Sequence, residues 1–320
     1  MTEAGQQKES GTERGGQSLP SRIFFSRHGE LRAGWRILLF LFLVSAGALL
    51  LVRPAAFLFP SADLVLPSFL FVFALLAASW IMTRAVNRKP LGAIGVGLHR
   101  RAWREFGIGC VLGFLMMGGI VVVQYGLGYL AFTALDLSAG DMAVRAGVSA
   151  LFFLTAAAGE ELMFRGYLFQ TLMQAVTFLP AAVIMSLIFG ITHLANPNVT
   201  AFAAVNVALA GLWLSFAYLK TRSLWLPLGL HAAWNFSQTT LFSFPTSGQE
   251  FLERRLFMTS VSGPEWITGG LFGPEGGVLA TLALIVCTWY ILKSTMITVP
   301  EGIITLDSIE DLIPPALAKE

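Results

Sequence analysis

The chain has 320 residues, of which 55% are hydrophobic and only 12% charged, with a mean hydropathy of +0.70 and a net charge of +2. Soluble domains carry roughly 25% charged residues, so a single soluble core is excluded; the net charge says little by itself, and no nucleic-acid partner is expected. Several apolar runs exceed ~18 residues, enough to cross a hydrocarbon layer of ~30 Å, so an all-α polytopic membrane protein is expected.

The first 35 residues are polar and read as a flexible cytoplasmic arm rather than a cleavable signal, because the first apolar run begins only near Ile37. About eight spans follow, at roughly 37–53, 64–83, 106–132, 146–176, 179–195, 200–219, 225–243 and 277–292. The organisation expected is an arm over 1–35, two spans and a basic connection over 36–105, a core over 106–295, and a cytoplasmic tail over 296–320. The connection "LGAIGVGLHRRAWREFG" mixes bases with Leu, Val, Trp and Phe, a composition suited to an interfacial segment as well as to a basic loop. Segment 244–276, rich in Gly and Pro, reads as a loop with one short helix. Cys110 and Cys287 lie far apart in apolar runs and suggest neither a disulfide framework nor a thiolate metal site. With the N-terminus inside, sixteen of the 21 Lys and Arg residues fall on the inner side, four outside and one within a span. The positive-inside bias therefore predicts cytoplasmic N- and C-termini in a bacterial inner membrane.

Apart from Cys and Tyr, the spans hold five ionisable side chains away from their ends: Glu160, Glu161, Arg165, His193 and His231. Such groups face a protein interior or a wet cavity and mark function. Glu161 and Arg165 stand at i and i+4, acid first, the favoured order for a helical ion pair. Glu160 points about 100° away from Glu161 and is left free for chemistry. A short connection near Thr177 makes the fourth and fifth spans antiparallel neighbours. Glu160 precedes that turn by 17 residues and His193 follows it by 16, so the two reach one depth. His231 and Asn235, again i and i+4, share a face on the seventh span. Measured from Arg145, Lys220 and Arg222, these groups are expected in the inner half of the bundle. A carboxylate and an imidazole can activate water. A second His and an Asn amide can hold an oxyanion, or two His and a carboxylate can hold zinc. Neither HExxH nor GxSxG occurs. A proton- or ion-coupled transporter would also bury such groups, but no repeat of two halves is visible.

Three motifs, EExxxR at Glu160, Glu161 and Arg165, FxxxH at Phe189 and His193, and HxxxN at His231 and Asn235, occur in this order on neighbouring spans. The chain thereby resembles the CPBP family of intramembrane proteases, which includes CAAX prenyl endopeptidases of the Rce1 type and bacteriocin-processing relatives. The resemblance implies a peptide-bond hydrolase acting on a membrane-associated protein or peptide. Glu160 with His193 would activate water, His231 with Asn235 would stabilise the oxyanion, and Glu161, Arg165 and Phe189 would support the site. It further implies either one divalent metal, Zn2+, with Glu160, His193 and His231 as candidate ligands, or a metal-free glutamate mechanism. A catalytically inactive scaffold of the same family is the remaining alternative. The partners expected are the bilayer and the peptide substrate.

Overall fold

The computed structural model describes residues 23–25, 31–59 and 64–306. The expected N-terminal arm and C-terminal tail lie largely outside these residues. Each of the eight apolar runs forms helix. The helices are α1 (Ala33–Leu58), α2 (Val65–Val86), α3 (Ala102–Gly126), α4 (Ala139–Arg165), α5 (Tyr167–Val176), α6 (Phe178–Thr192), α7 (Ala201–Thr221), α8 (Trp225–Phe236) and α9 (Val278–Lys293). Among the described residues, five segments are long and apolar enough to cross a membrane by themselves: α1, α2, α3, α4 with α5, and α7. Helices α6 and α9 are equally apolar but have only 15 and 16 residues, and α8 gains its length from a π-helical turn, Ser237–Leu241. The expected eight spans are therefore five full-length ones and a set of shorter helices. Large side chains such as Phe42, Phe57, Phe69 and Trp289 stand on the outer surface. On a protein facing water they would form an aggregation-prone patch; here they face lipid.

Two runs depart from the continuous spans expected. The fourth breaks after Arg165 because Gly166 adopts φ −75° and ψ −131°, where a Cβ would lie 2.3 Å from the Leu162 carbonyl oxygen. The third stops at Gly126 rather than near residue 132. Its last turn gives way to Gly128 at φ +76° and then to β1 (Leu130–Ala134). This strand pairs antiparallel with β2 (Phe257–Val261), in register Leu130 to Val261 and Ala134 to Phe257. Segment 244–276 is thus tied down by a strand pair that its Gly- and Pro-rich composition did not announce.

The interior has two apolar clusters. One gathers Phe40, Leu75, Tyr167, Phe169, Phe178 and Phe189 from α1, α2, α5 and α6. The other gathers Met117, Trp213, Leu230, Trp234 and Leu284 from α3, α7, α8 and α9. Helix α8 lies close against α3, with Gly229 facing Gly109; a Cβ on Gly229 would fall 2.2 Å from the Phe106 carbonyl oxygen. Small residues that let two backbones meet are the usual adhesive between membrane helices, and this contact fixes the residues that follow Gly229. Substituting Gly229→Leu should force the helices apart and destabilise the protein by about 1–3 kcal/mol, the usual cost of overpacking. Thermal melting in detergent tests this, and an unchanged midpoint would refute the tight contact.

Candidate active site

Helix α4 starts at a capping box. The Ser138 hydroxyl accepts from the Asp141 amide at 3.1 Å and the Asp141 carboxylate accepts from the Ser138 amide at 3.3 Å. From that fixed start the helix carries Glu160, Glu161 and Arg165 inward. Arg165 is 1% exposed. Its Nη1 donates to Glu161 Oε1 at 3.1 Å and its Nη2 donates to the Gly211 carbonyl of α7 at 2.8 Å. The guanidinium also lies 5.0 Å from the centroid of the Phe189 ring, whose face attracts a cation. The ion pair expected from the i, i+4 spacing is present.

The pair has a third member. His231 Nδ1 stands 2.8 Å from the same Glu161 oxygen, and His231 Nε2 faces Glu160 Oε2 at 3.6 Å. The imidazole is therefore held between the two adjacent carboxylates, one buried beneath it and one open beside it. Glu161 is 1% exposed, whereas 36% of the Glu160 side chain is accessible, into a cavity. Glu160 Oε2 has no hydrogen-bond partner. Glu160 is paired with His231 of α8.

His193 caps the C-terminus of α6, and its Nδ1 lies 2.8 Å from the Phe189 carbonyl oxygen one turn earlier. Phe189 is central to the site. Its ring lies 4.7 Å from that of His193, meets His231 edge-on at 6.3 Å and Phe164 at 5.0 Å, and receives the Arg165 cation. Asn235 follows His231 by one turn of α8. Glu160, His193, His231 and Asn235 all line one cavity of about 520 Å³, with apolar walls that include Phe71, Phe152 and Trp213. The three motifs thus converge.

The cavity opens away from Lys220 and Arg222, while His231 stands within two turns of that end, the seventh residue of α8. The cavity reaches Asn196, Ser247, Gln249 and Glu275, which belong to the α6–α7 connection and the 244–276 segment, not to the end near Lys220 and Arg222. The physical reason lies in α4. Its first turns rise beside the 244–276 segment, where Arg145 donates to the Arg255 carbonyl at 3.2 Å and Phe152 and Phe153 pack on Phe251. Ten residues of α5 continue past the break at Gly166.

Sequence reading did not identify Glu275 as part of this region. Its Oε1 accepts from Trp234 Nε1 at 3.1 Å, and its Oε2 accepts from the Ser247 amide and hydroxyl at 2.6 and 2.7 Å. Asn206 of α7 donates to the Glu275 and Gly277 carbonyls at 2.7 and 2.9 Å. The only signal was a lone carboxylate in "FGPEGG". Among the described residues no three His, Cys, Asp or Glu side chains gather in a metal-holding arrangement. Both ring nitrogens of His231 are directed at carboxylate oxygens. The donors as placed do not fit a three-ligand metal centre.

Residues 143–237 match the family model described as type II CAAX prenyl endopeptidase Rce1-like, an interval that encloses all three motifs. The resemblance read from those motifs is therefore shown over this part of the chain, and the family is one of membrane proteases. Two relatives come from Bacillus subtilis (strain 168). "Uncharacterized protein YyaK" is 25% identical over 182 residues, 55% of this chain and 60% of its own length. "Putative membrane peptidase YdiL" is 32% identical over 76 residues, 24% of this chain and 29% of its own length. The matched part thus spans less than two thirds of each relative.

Removing one partner of a buried ion pair costs about 3–5 kcal/mol, because the other charge is left uncompensated. Arg165→Ala should therefore lower both the yield and the melting temperature of the purified protein, while Glu160→Gln, at the accessible carboxylate, should leave the melting temperature near that of the parent. Equal melting of the parent and Arg165→Ala would contradict the role given to the pair.

Proposed function

We propose that this membrane protein is an intramembrane endopeptidase that hydrolyses a peptide bond of a membrane-associated protein or peptide. The observation that carries the reading is the partly accessible Glu160 side chain, which faces His231 across 3.6 Å in a cavity that His193 and Asn235 also line. Glu160 takes a proton from water, and the resulting hydroxide adds to the scissile carbonyl carbon. His193 supports that water from the α6 side. His231, anchored on Glu161, and Asn235 donate toward the carbonyl oxygen as it gains negative charge, the role of an oxyanion hole. Collapse of the tetrahedral intermediate breaks the C–N bond, and Glu160 returns its proton to the leaving amine. Water, peptide and protons balance, and the carboxylate is regenerated.

The lining supports cleavage within a chain rather than capture of a chain end. The cavity residues include two carboxylates, Glu160 and Glu275, and neither Lys nor Arg. A terminal carboxylate would meet like charge there, whereas an extended segment with apolar side chains would meet aromatic walls. The distribution of Lys and Arg supports an orientation with both termini in the cytoplasm.

Glu160→Gln keeps the shape of the side chain but cannot accept the proton. It should abolish the new peptide termini seen in membranes of cells carrying the parent protein, a loss of at least ~10²-fold if general base catalysis supplies its usual share. Full cleavage by a folded, abundant Glu160→Gln protein would remove Glu160 from the mechanism. Asn235→Ala should reduce kcat by about 10²–10³-fold with little change in KM, as expected for a donor that acts on the transition state. A change confined to KM would instead make Asn235 a binding residue. Chelation followed by dialysis should leave the rate unchanged; a loss restored only by added Zn2+ would bring the metal-ligand assignment of Glu160, His193 and His231 back.

A further inference from the structure

The two ends of the bundle differ in charge and in what they enclose. At one end, the α7–α8 turn meets the basic connection: the Leu224 amide donates to the Gly95 carbonyl at 2.9 Å and Trp225 Nε1 donates to the Gly97 carbonyl at 3.0 Å. Arg101 reaches Thr298 at 2.7 Å and Lys220 reaches the Leu292 carbonyl at 2.8 Å at this same end. It therefore collects Arg84, Arg88, Lys89, Arg100, Arg101 and Arg104, together with Lys220, Arg222 and Lys293. At the other end, Asn196 donates to the Ser247 carbonyl at 2.9 Å, Gln124 donates to the Ile267 carbonyl at 3.2 Å, and the β1–β2 pair closes the surface. Its cations are fewer, and Arg254 and Arg255 stand 3.7 and 3.2 Å from Glu253 and Glu250.

The cavity opens toward the second end, and its floor reaches His231, the seventh residue of α8. Asn196, Ser247, Gln249 and Phe251 line it, while no residue of 84–104, of 220–225 or of 291–300 does. Its depth agrees with this. His193 stands at the top of α6, so 15 residues of helix, or about 22 Å at 1.5 Å per residue, separate it from Thr177, whose neighbour Phe178 packs on Phe216 near the basic end of α7. Lys and Arg mark the cytoplasmic side of a membrane protein.

We infer that the cavity opens on the non-cytoplasmic face and receives peptide segments presented there, not cytoplasmic chain ends. The inference rests on the hydrolytic reading for what happens to the segment. The side of opening follows from geometry and charge alone. A segment emerging from the outer leaflet would pass between the polar rim of Asn196, Ser247 and Gln249 and come down on Glu160 along the Phe152 and Phe251 wall.

Thiol accessibility tests the side without requiring turnover, so the result stands or falls apart from the hydrolytic reading. Gln249 is exposed at the cavity mouth and Arg100 is exposed at the basic end, while the native Cys110 is half-buried and Cys287 is buried. Full-length Gln249→Cys and Arg100→Cys proteins are treated with a membrane-impermeant maleimide in right-side-out and in inverted vesicles, with the parent chain as the blank. The expected result is labelling of Gln249→Cys in right-side-out vesicles and its loss in inverted ones, with Arg100→Cys showing the reverse. Labelling of Gln249→Cys only in inverted vesicles would overturn the inference and turn the cavity toward the cytoplasm.

Discussion

A single carboxylate oxygen, Glu161 Oε1, holds the centre of this protein together. It accepts from Arg165 of its own helix and from His231 of α8, while Arg165 also reaches α7 through the Gly211 carbonyl. In a medium without water, an arginine or a glutamate alone would be costly, and each needs a partner within contact distance. Attraction between such charges is stronger there than in water, but burying them is also costly, so the arrangement sets position more than it adds net stability. Three helices whose outer surfaces are uniform hydrocarbon thus acquire one mutual register. The orientation of His231 is a by-product of the same bond.

Phe189 extends that control to the second histidine. Its carbonyl holds the His193 ring and its own ring covers Arg165, so α6 is linked to the buried pair without a further charge. The result is a division between a closed ionic floor, Glu161 with Arg165, and an open working face, Glu160 with His193, His231 and Asn235. Glu160 and Glu161 are adjacent in sequence yet have unlike surroundings, because one residue of helix turns the side chain by about 100°. A pair of identical carboxylates is in this way divided between a buried ion pair and a cavity wall.

Much of this was legible in the sequence because a membrane removes the ambiguity that apolar residues have elsewhere. Apolar runs had to be helical, and the five ionisable groups within them had to meet. The i, i+4 spacing gave the Glu161–Arg165 pair and the turn near Thr177 gave the common level of Glu160 and His193. Contacts between distant segments were not legible. Nothing in the local pattern says that His231 shares an oxygen with a residue 70 positions earlier, or that Glu275 receives Trp234. Nor does the local pattern show that the first turns of α4 run beside the 244–276 segment, so that Ser247 and Gln249 join the lining of the cavity. The strand pair β1–β2 was missed because five-residue strands next to membrane helices carry little periodicity of their own.

The contact between Gly229 and the Phe106 carbonyl has a mechanical meaning. Two backbones that close cannot slide or roll past one another without collision, so α3 and α8 form a stationary jaw that carries His231 and Asn235. A folded polypeptide strand is wider than the gaps left among packed side chains, so its entry requires something to yield. On the opposite wall, α2 brings Phe71 to the cavity through a side chain rather than through backbone contact. A ring can swing where a peptide plane cannot. The cavity is therefore bounded by backbone-to-backbone packing on the α3–α8 side and by side-chain packing at Phe71 of α2.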